Sequence, residues 1–299
     1  MSIRIAVATE DFGGPLRRSI SLAGDQGVSG VRLNARTELL SMGGASSSAL
    51  RQILLYIREN RMEVAGLICP TRHALYDQAF LEERIELIRQ CISLVRPLAT
   101  RELLIRCGRI PDPDSVSTDT SGGKSFGSPE NPFSFGSSPP SAPVRSSASE
   151  FTLLCEVLND LASHANHTGC TLNLILSRYD VALVRRLLAE IKNGPVQVVF
   201  DPGTAIMAGS VPDRVVSLYR DLYDVVGYVR GRDALRDVDG AGVEAVLGDG
   251  SVDWAEFLPS LVEAPFDGWF CVERTGGDHR AEDVRHAVNV LRSLLPQSS

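Results

Sequence analysis

Gly248–Arg280, GDGSVDWAEFLPSLVEAPFDGWFCVERTGGDHR, is the stretch whose reading decides the fold. Gly248, Gly250 and Ser251 end a loop, and Asp253 stands where a helix begins. Leu258, Leu261 and Val262 mark the apolar face of that helix. Phe266-Asp-Gly268 then turns the chain into Trp269-Phe-Cys-Val272, an apolar run with the length and flanks of a buried strand. The strand delivers Glu273 and Arg274 to its C-terminal end, straight into Thr275-Gly-Gly. A carboxylate at the end of a buried parallel strand, opening onto a glycine loop, is where an α/β barrel keeps its chemistry.

Working outward, the same unit recurs along the chain. Apolar runs at Ile3–Ala8, Val31–Ala35, Val64–Cys69, Leu103–Cys107, Leu172–Leu176, Val196–Phe200 and Val225–Val229 read as strands. Each is followed by a segment of helical spacing, as in Leu50, Ile53, Leu54 and Ile57, where Ser47 or Ser48 supplies the cap. The helix after the sixth strand is expected over Val211–Tyr223 with Asp213 in its first turn, and Met42–Ser48 reads as a loop. The stretch Pro111–Ser149 breaks the pattern, being rich in Ser, Pro, Gly and Asp. It has too little apolar surface to offset the entropy of ordering, and reads as a disordered insertion within one domain spanning 1–299. Eight strand-helix units with short connections imply a parallel sheet buried on both faces, which closes naturally as a (β/α)8 barrel. An open doubly wound sheet is the other architecture these elements allow. No GxGxxG follows the first strand, so no nucleotide cofactor is expected.

Composition sets outer bounds. The chain has 299 residues, 43% of them hydrophobic and 22% charged, which are globular values. A formal net charge of −7 disfavours a broad nucleic-acid surface. No apolar run is long enough to suggest a membrane span, and the N-terminus lacks a signal-peptide layout. Six scattered cysteines without a CxxC pair predict buried thiols in a reducing, cytoplasmic setting. A homo-oligomer is compatible with all of this.

If the barrel closes, one rim gathers Glu10, Asp11, Arg36, Glu38, Arg72, His73, Arg109, Arg178, Asp201, Arg230, Arg232, Asp233, Glu273 and Arg274. Asp201, Asp233 and Glu273 each follow an apolar strand directly. Such carboxylates could hold a divalent cation or move protons on a polar substrate; equally, the arginines could pair with them and close the mouth. His279 follows the last strand and lies within reach of the rim.

Val199-Phe-Asp201-Pro-Gly, Val225-Val-Gly-Tyr-Val-Arg230-Gly-Arg-Asp233 and Gly248-Asp-Gly-Ser-Val-Asp-Trp254 with Gly268 and Glu273 together resemble the xylose isomerase-like TIM-barrel superfamily of sugar isomerases and epimerases. The first half fits through Gly30-Val-Arg-Leu and Arg84. The resemblance implies a divalent metal (Mn, Mg, Co or Zn) held by glutamate, aspartate, histidine and glutamate from strands five to eight, the glutamates also moving protons beside a carbonyl. This sequence retains the aspartate as Asp201 and the last glutamate as Glu273, the two candidate metal ligands and catalytic residues. It departs elsewhere: strand five ends in Leu176-Ser-Arg178, Arg230 stands at the histidine position, and Thr204 replaces a histidine often found three residues after the aspartate. The multi-histidine site of the superfamily's endonuclease branch is missing too. A fixed guanidinium charge where the metal would sit works against metal binding.

Two functions are therefore expected. One is an isomerase or epimerase acting on a small polyol, sugar or sugar phosphate through Glu273 and Asp201, with Arg230, Arg232, Asp233, Glu38, Arg274 and His279 binding substrate. The other is a catalytically degenerate barrel that binds a sugar-like ligand or a protein partner.

Overall fold

The computed structural model describes residues 3–40, 46–115, 146–210, 214–236, 242–264 and 266–295. Eight parallel strands close a barrel in the order β1 (Arg4–Ala8), β10 (Trp269–Val272), β7 (Val226–Gly231), β6 (Val196–Phe200), β5 (Thr171–Leu176), β4 (Glu102–Gly108), β3 (Glu63–Cys69) and β2 (Gly30–Asn34). Closure is made by β1, which pairs β2 on one side and β10 on the other, with Ala6 opposite Gly30 and Cys271. The barrel reading is therefore correct and the open sheet is not formed. Outside lie α1 (Leu16–Gly24), α2 (Ser47–Glu59), α3 (Leu81–Val95), α4 (Ser147–Thr168), α5 (Val181–Glu190), α6 (Pro202–Met207), α7 (Val215–Leu222), α8 (Trp254–Glu263) and α9 (Arg280–Leu294).

Two apolar clusters follow from the strand period of two. Outward-facing strand residues such as Val7, Leu33, Leu67, Ile105, Leu174 and Phe200 pack beneath the helices. Inward-facing Ala6, Ala8, Ala65, Ile68, Leu104, Val199, Tyr228, Trp269 and Cys271 fill the barrel. The alanines on β1 and β3 leave room for Tyr228 and Trp269. At the N-terminal end Trp269 lies against Gly30, where a Cβ would overlap its ring, and Arg4 stacks over it with the guanidinium carbon 4.5 Å from the ring centroid.

Several local expectations are corrected. Ser46, rather than Ser47 or Ser48, caps α2 by accepting from Ala49 N at 3.3 Å. Asp253 does cap α8, accepting from Glu256 N at 3.0 Å, but the helix buries Trp254, Phe257, Leu258 and Leu261, while Val262 is 48% exposed. Aromatic side chains set that face: Phe257 stacks on Phe200 and meets Trp254 edge-on. Gly268 is required because a Cβ there would overlap Gly227 O and the Phe266 ring. Two elements were not anticipated. Asp201 caps the short helix α6, and β8 (Asp233–Arg236) pairs with β9 (Gly242–Ala245) as an antiparallel hairpin set on the barrel rim.

The expected insertion falls mostly on 116–145, outside the described residues. Its edges belong to the fold: Ser115 N donates to Asp112 O, Asp114 pairs with Arg186 at 2.5 Å, and Ser146 caps α4 through Ser149 N. The expected loop residues 42–45 and Asp213 also lie outside the described residues. All six cysteines are free thiols.

Candidate functional site at the C-terminal mouth

The β7–β10 register sets Arg230 opposite Cys271 and Gly231 opposite Val272, so Arg230 and Glu273 emerge side by side at the inward-facing parity. Glu273 Oε2 accepts from Arg230 Nε at 2.8 Å and from Nη2 at 2.6 Å. On its other side Glu273 Oε1 lies 3.1 Å from Arg32 Nε, an ion pair whose angle does not make a hydrogen bond. Arg32 comes from the inner face of β2, is 1% exposed, and reaches Glu10 Oε1 with Nη2 at 3.3 Å.

Asp201 divides its carboxylate between structure and charge. Oδ1 caps α6 by accepting from Thr204 N at 2.8 Å, and Oδ2 sits 2.9 Å from Arg232 Nη1 and 3.3 Å from Arg230 Nη1. Arg232 in turn donates from Nε to Glu244 Oε1 at 3.0 Å and from Nη2 to Thr275 Oγ1 at 3.0 Å. The result is an alternating chain: Glu10, Arg32, Glu273, Arg230, Asp201, Arg232, Glu244. Removing ions from water costs several kcal/mol each, so a chain this deep persists only because each member has an opposite neighbour.

Electrostatics within the chain disfavour proton transfer. Burial pushes the Glu273 carboxyl up, but Arg230 and Arg32 outweigh it and hold it down to about 2. Burial also works against the charge on Arg230, and Glu273 and Asp201 raise it above its ordinary value. Both groups are thus locked in their charged forms. Asp11 differs. Burial raises it to about 7 against the opposing N–H of Arg274, and the nearby Glu273 charge adds to the rise.

The structure brings Glu273, Asp201, Arg230 and Arg232 together; of the other four expected binding residues, Asp233, Glu38 and His279 lie elsewhere and Arg274 touches only the Glu244 end of the chain. Asp233 is turned from the mouth into the loop after β9. It accepts from the N–H groups of Ala234, Gly248, Gly250 and Val252 and from Trp254 Nε1 at 2.7 Å, which leaves it no capacity for a ligand. Glu38 closes on Asn34 N at 2.6 Å and Thr9 Oγ1 at 2.7 Å. Arg274 donates to Asp283 at 2.9 Å and lies 3.5 Å from Glu244, with its own N–H bonded to Asp11 at 2.9 Å. His279 is exposed beside Glu282 at 3.8 Å.

Three members of the chain, Arg32, Glu244 and Glu10, and Arg106, which borders the cavity beside it, were not singled out from sequence as site residues. Arg32 carried a signal, as a lone charge inside the apolar strand GVRLN, whose five residues are all buried. Arg106 could be read by parity, two residues after the inward-facing Leu104. Glu244 had no such signal, because its role depends on the hairpin. Glu10 appeared only as one rim charge among many.

The donor set does not fit the divalent metal that the resemblance implies. Among the described residues no three His, Cys, Asp or Glu side chains are grouped as a cation requires. The two matching carboxylates already face guanidinium groups. Beside them opens a cavity of about 310 Å³ between the ends of β4 to β7, lined by Arg106, Ser177, Thr204, Met207, Arg230 and Arg232 among others. Among the described residues no helix is long and apolar enough to cross a membrane.

Solved structures of low identity share this fold. A xylose isomerase domain protein from Planctomyces limnophilus matches with a TM-score of 0.73 at 16% identity, over 98% of this chain and 95% of that one. The 3-keto-D-glucoside 4-epimerase from E. coli matches at 0.69 and 16% identity, over 98% and 100%. A xylose isomerase-like TIM barrel protein from Mycobacterium smegmatis, solved in complex with magnesium, matches at 0.68 and 15% identity, over 99% and 98%. No curated protein matches the sequence. The family model described as a xylose isomerase-like TIM barrel matches residues 20–294. With the barrel, the strand-end carboxylates and that match in agreement, the chain belongs to the xylose isomerase-like TIM-barrel family.

Proposed function

We propose that this chain is a metal-independent member of its family that binds a small sugar-like molecule at the C-terminal mouth without moving protons on it through Glu273. One observation carries the reading: Glu273 lies between Arg32 and Arg230, its carboxyl held near pKa 2, at 2.6–3.1 Å from guanidinium nitrogens. A carboxylate so strongly stabilised as an anion is a poor base at neutral pH, since general bases work best with a pKa near the operating pH. Arginine charge also stands where a cation would polarise a carbonyl, and Arg230 and Arg232 border the cavity. The sugar-like ligand is supported by family membership and by the arginine and hydroxyl side chains that line the cavity beside apolar ones.

The test uses the intact protein. Thermal-shift titrations with Mn²⁺, Mg²⁺, Co²⁺ and Zn²⁺, alone and with a panel of aldoses, ketoses and sugar phosphates, should show shifts that follow the sugar and ignore the metal. Ketoses incubated with the protein in D₂O should gain no deuterium beside the carbonyl. A metal-induced shift lost in Glu273→Gln, or deuterium uptake above the protein-free rate, would overturn the reading.

A further inference from the structure

Every guanidinium in the buried chain faces a carboxylate, but Arg106 does not. It stands near the C-terminal end of β4, two residues past Leu104, and so shares the inward-facing parity. Its side chain is exposed, it borders the same cavity as Arg230 and Arg232, and among the described residues it has no hydrogen-bond or ion-pair partner. The cavity wall holds three arginines and no carboxylate. Arg230 and Arg232 are already compensated by Glu273, Asp201 and Glu244, so Arg106 is the guanidinium of this wall that, among the described residues, is left without a carboxylate partner.

The rest of the wall is suited to a hydroxylated small molecule. Ser177 and Thr204 present hydroxyls, while Ile175 and Met207 give an apolar floor for carbon–hydrogen faces. At about 310 Å³ the space lies at the lower end of ligand-pocket sizes, roughly 300–1,000 Å³. A planar guanidinium with free N–H groups pairs with a carboxylate or phosphate through two parallel hydrogen bonds, and does so with less loss of hydration than an ammonium.

We propose that Arg106 anchors the single anionic group, carboxylate or phosphate, of a small polyol ligand whose hydroxyls face Ser177 and Thr204. This rests on the reading of the mouth as a sugar-like binding site and adds the charge of the ligand and the residue that selects it. Arg106 acts by direct contact, so the preference for an anion should weaken with salt.

Calorimetric titration separates the two ideas. Ribose 5-phosphate and gluconate are compared with their neutral counterparts, ribose and glucitol, and with inorganic phosphate. The anionic probes should bind roughly tenfold or more tightly than the neutral ones, as hydrogen bonds to charged groups allow. Arg106→Gln should remove that difference, while Arg109→Gln, a change in an exposed arginine outside the cavity wall, should keep it. The phosphate and carboxylate arms decide which anion is preferred, and inorganic phosphate alone should bind weakly because it lacks the polyol. If neutral and anionic probes bind equally, or the preference survives Arg106→Gln, the anchor is wrong and the sugar-like site stands. If none of the four polyol probes binds, both readings fail together.

Discussion

At the residue scale, Glu273 shows how one position changes character with its partners. Its place at the end of β10 is that of a proton-transfer carboxylate in the family it resembles, yet two arginines hold it as a fixed anion. Removing it would leave Arg32 and Arg230 buried without their shared counter-charge. Breaking one partner out of a buried pair typically costs 3–5 kcal/mol, so Glu273→Gln should lower unfolding free energy by about that amount in urea titration. A loss under about 1 kcal/mol would show that the pairs contribute little. Asp233 is the structural counterpart. Asp233→Asn would turn an amide N–H₂ toward donors at Gly248, Gly250 and Trp254, and should cost on the order of 3 kcal/mol. Loss of the indole hydrogen bond would appear as a shifted Trp254 emission; an unchanged spectrum would count against this role.

At the scale of elements, the β8–β9 hairpin clamps the mouth. Glu244 on β9 accepts from Thr275 N at 3.1 Å and Gly276 N at 2.9 Å, as well as from Arg232. It thereby ties the glycine loop after β10 to the hairpin. Burial pushes the Glu244 carboxyl up, but the charge of Arg232 and the hydrogen bonds from Thr275 and Arg232 together hold it below its ordinary carboxylate range. Glu244→Ala should release this loop: amide exchange at Thr275 and Gly276 should speed up, while protection in the barrel strands stays as it was. Equal loosening throughout would instead mean that the hairpin supports the whole barrel. The loop preceding α8 tolerates change just as poorly, because a Cβ on Gly250 would overlap Asp233 Oδ1.

At the scale of the whole molecule, buried carboxylates of opposite behaviour set the response to pH. Glu273, held down to about 2, contributes stability that is present above its unfolded value near 4.5 and lost as pH falls through 2. Asp11, raised to about 7, works in the other direction. Between about 4 and 7 the folded state binds the proton more tightly than the unfolded chain, so stability declines as pH rises across that window. Burial raises Glu38 and Glu102 as well, which adds to the decline. Thermal melts should therefore show Asp11→Asn flattening the fall between pH 4 and 7 and stabilising the protein at pH 8, by on the order of 2 kcal/mol. A variant that tracks the parent across this range would refute the assignment. The amide can still accept from Arg274 N, so the substitution tests the charge and leaves that contact in place.

The sequence by itself determined the repeating strand-helix units, the place of the mouth, and three central residues: Asp201, Arg230 and Glu273. These follow from period and position along the chain, which are local properties. The partners were decided by tertiary structure. Arg32 meets Glu273 only because β1 closes the sheet between β2 and β10. Glu244 reaches Arg232 only because a hairpin folds over the rim, and Asp233 turns inward only because the Gly248–Val252 backbone wraps its carboxylate. His279 looked equally close to the rim in sequence, but its side chain lies in solvent. Strand periodicity says which way a side chain faces along its own strand. Which charge it meets depends on residues tens to hundreds of positions away, and only the tertiary fold brings them to 2.6–3.3 Å of one another.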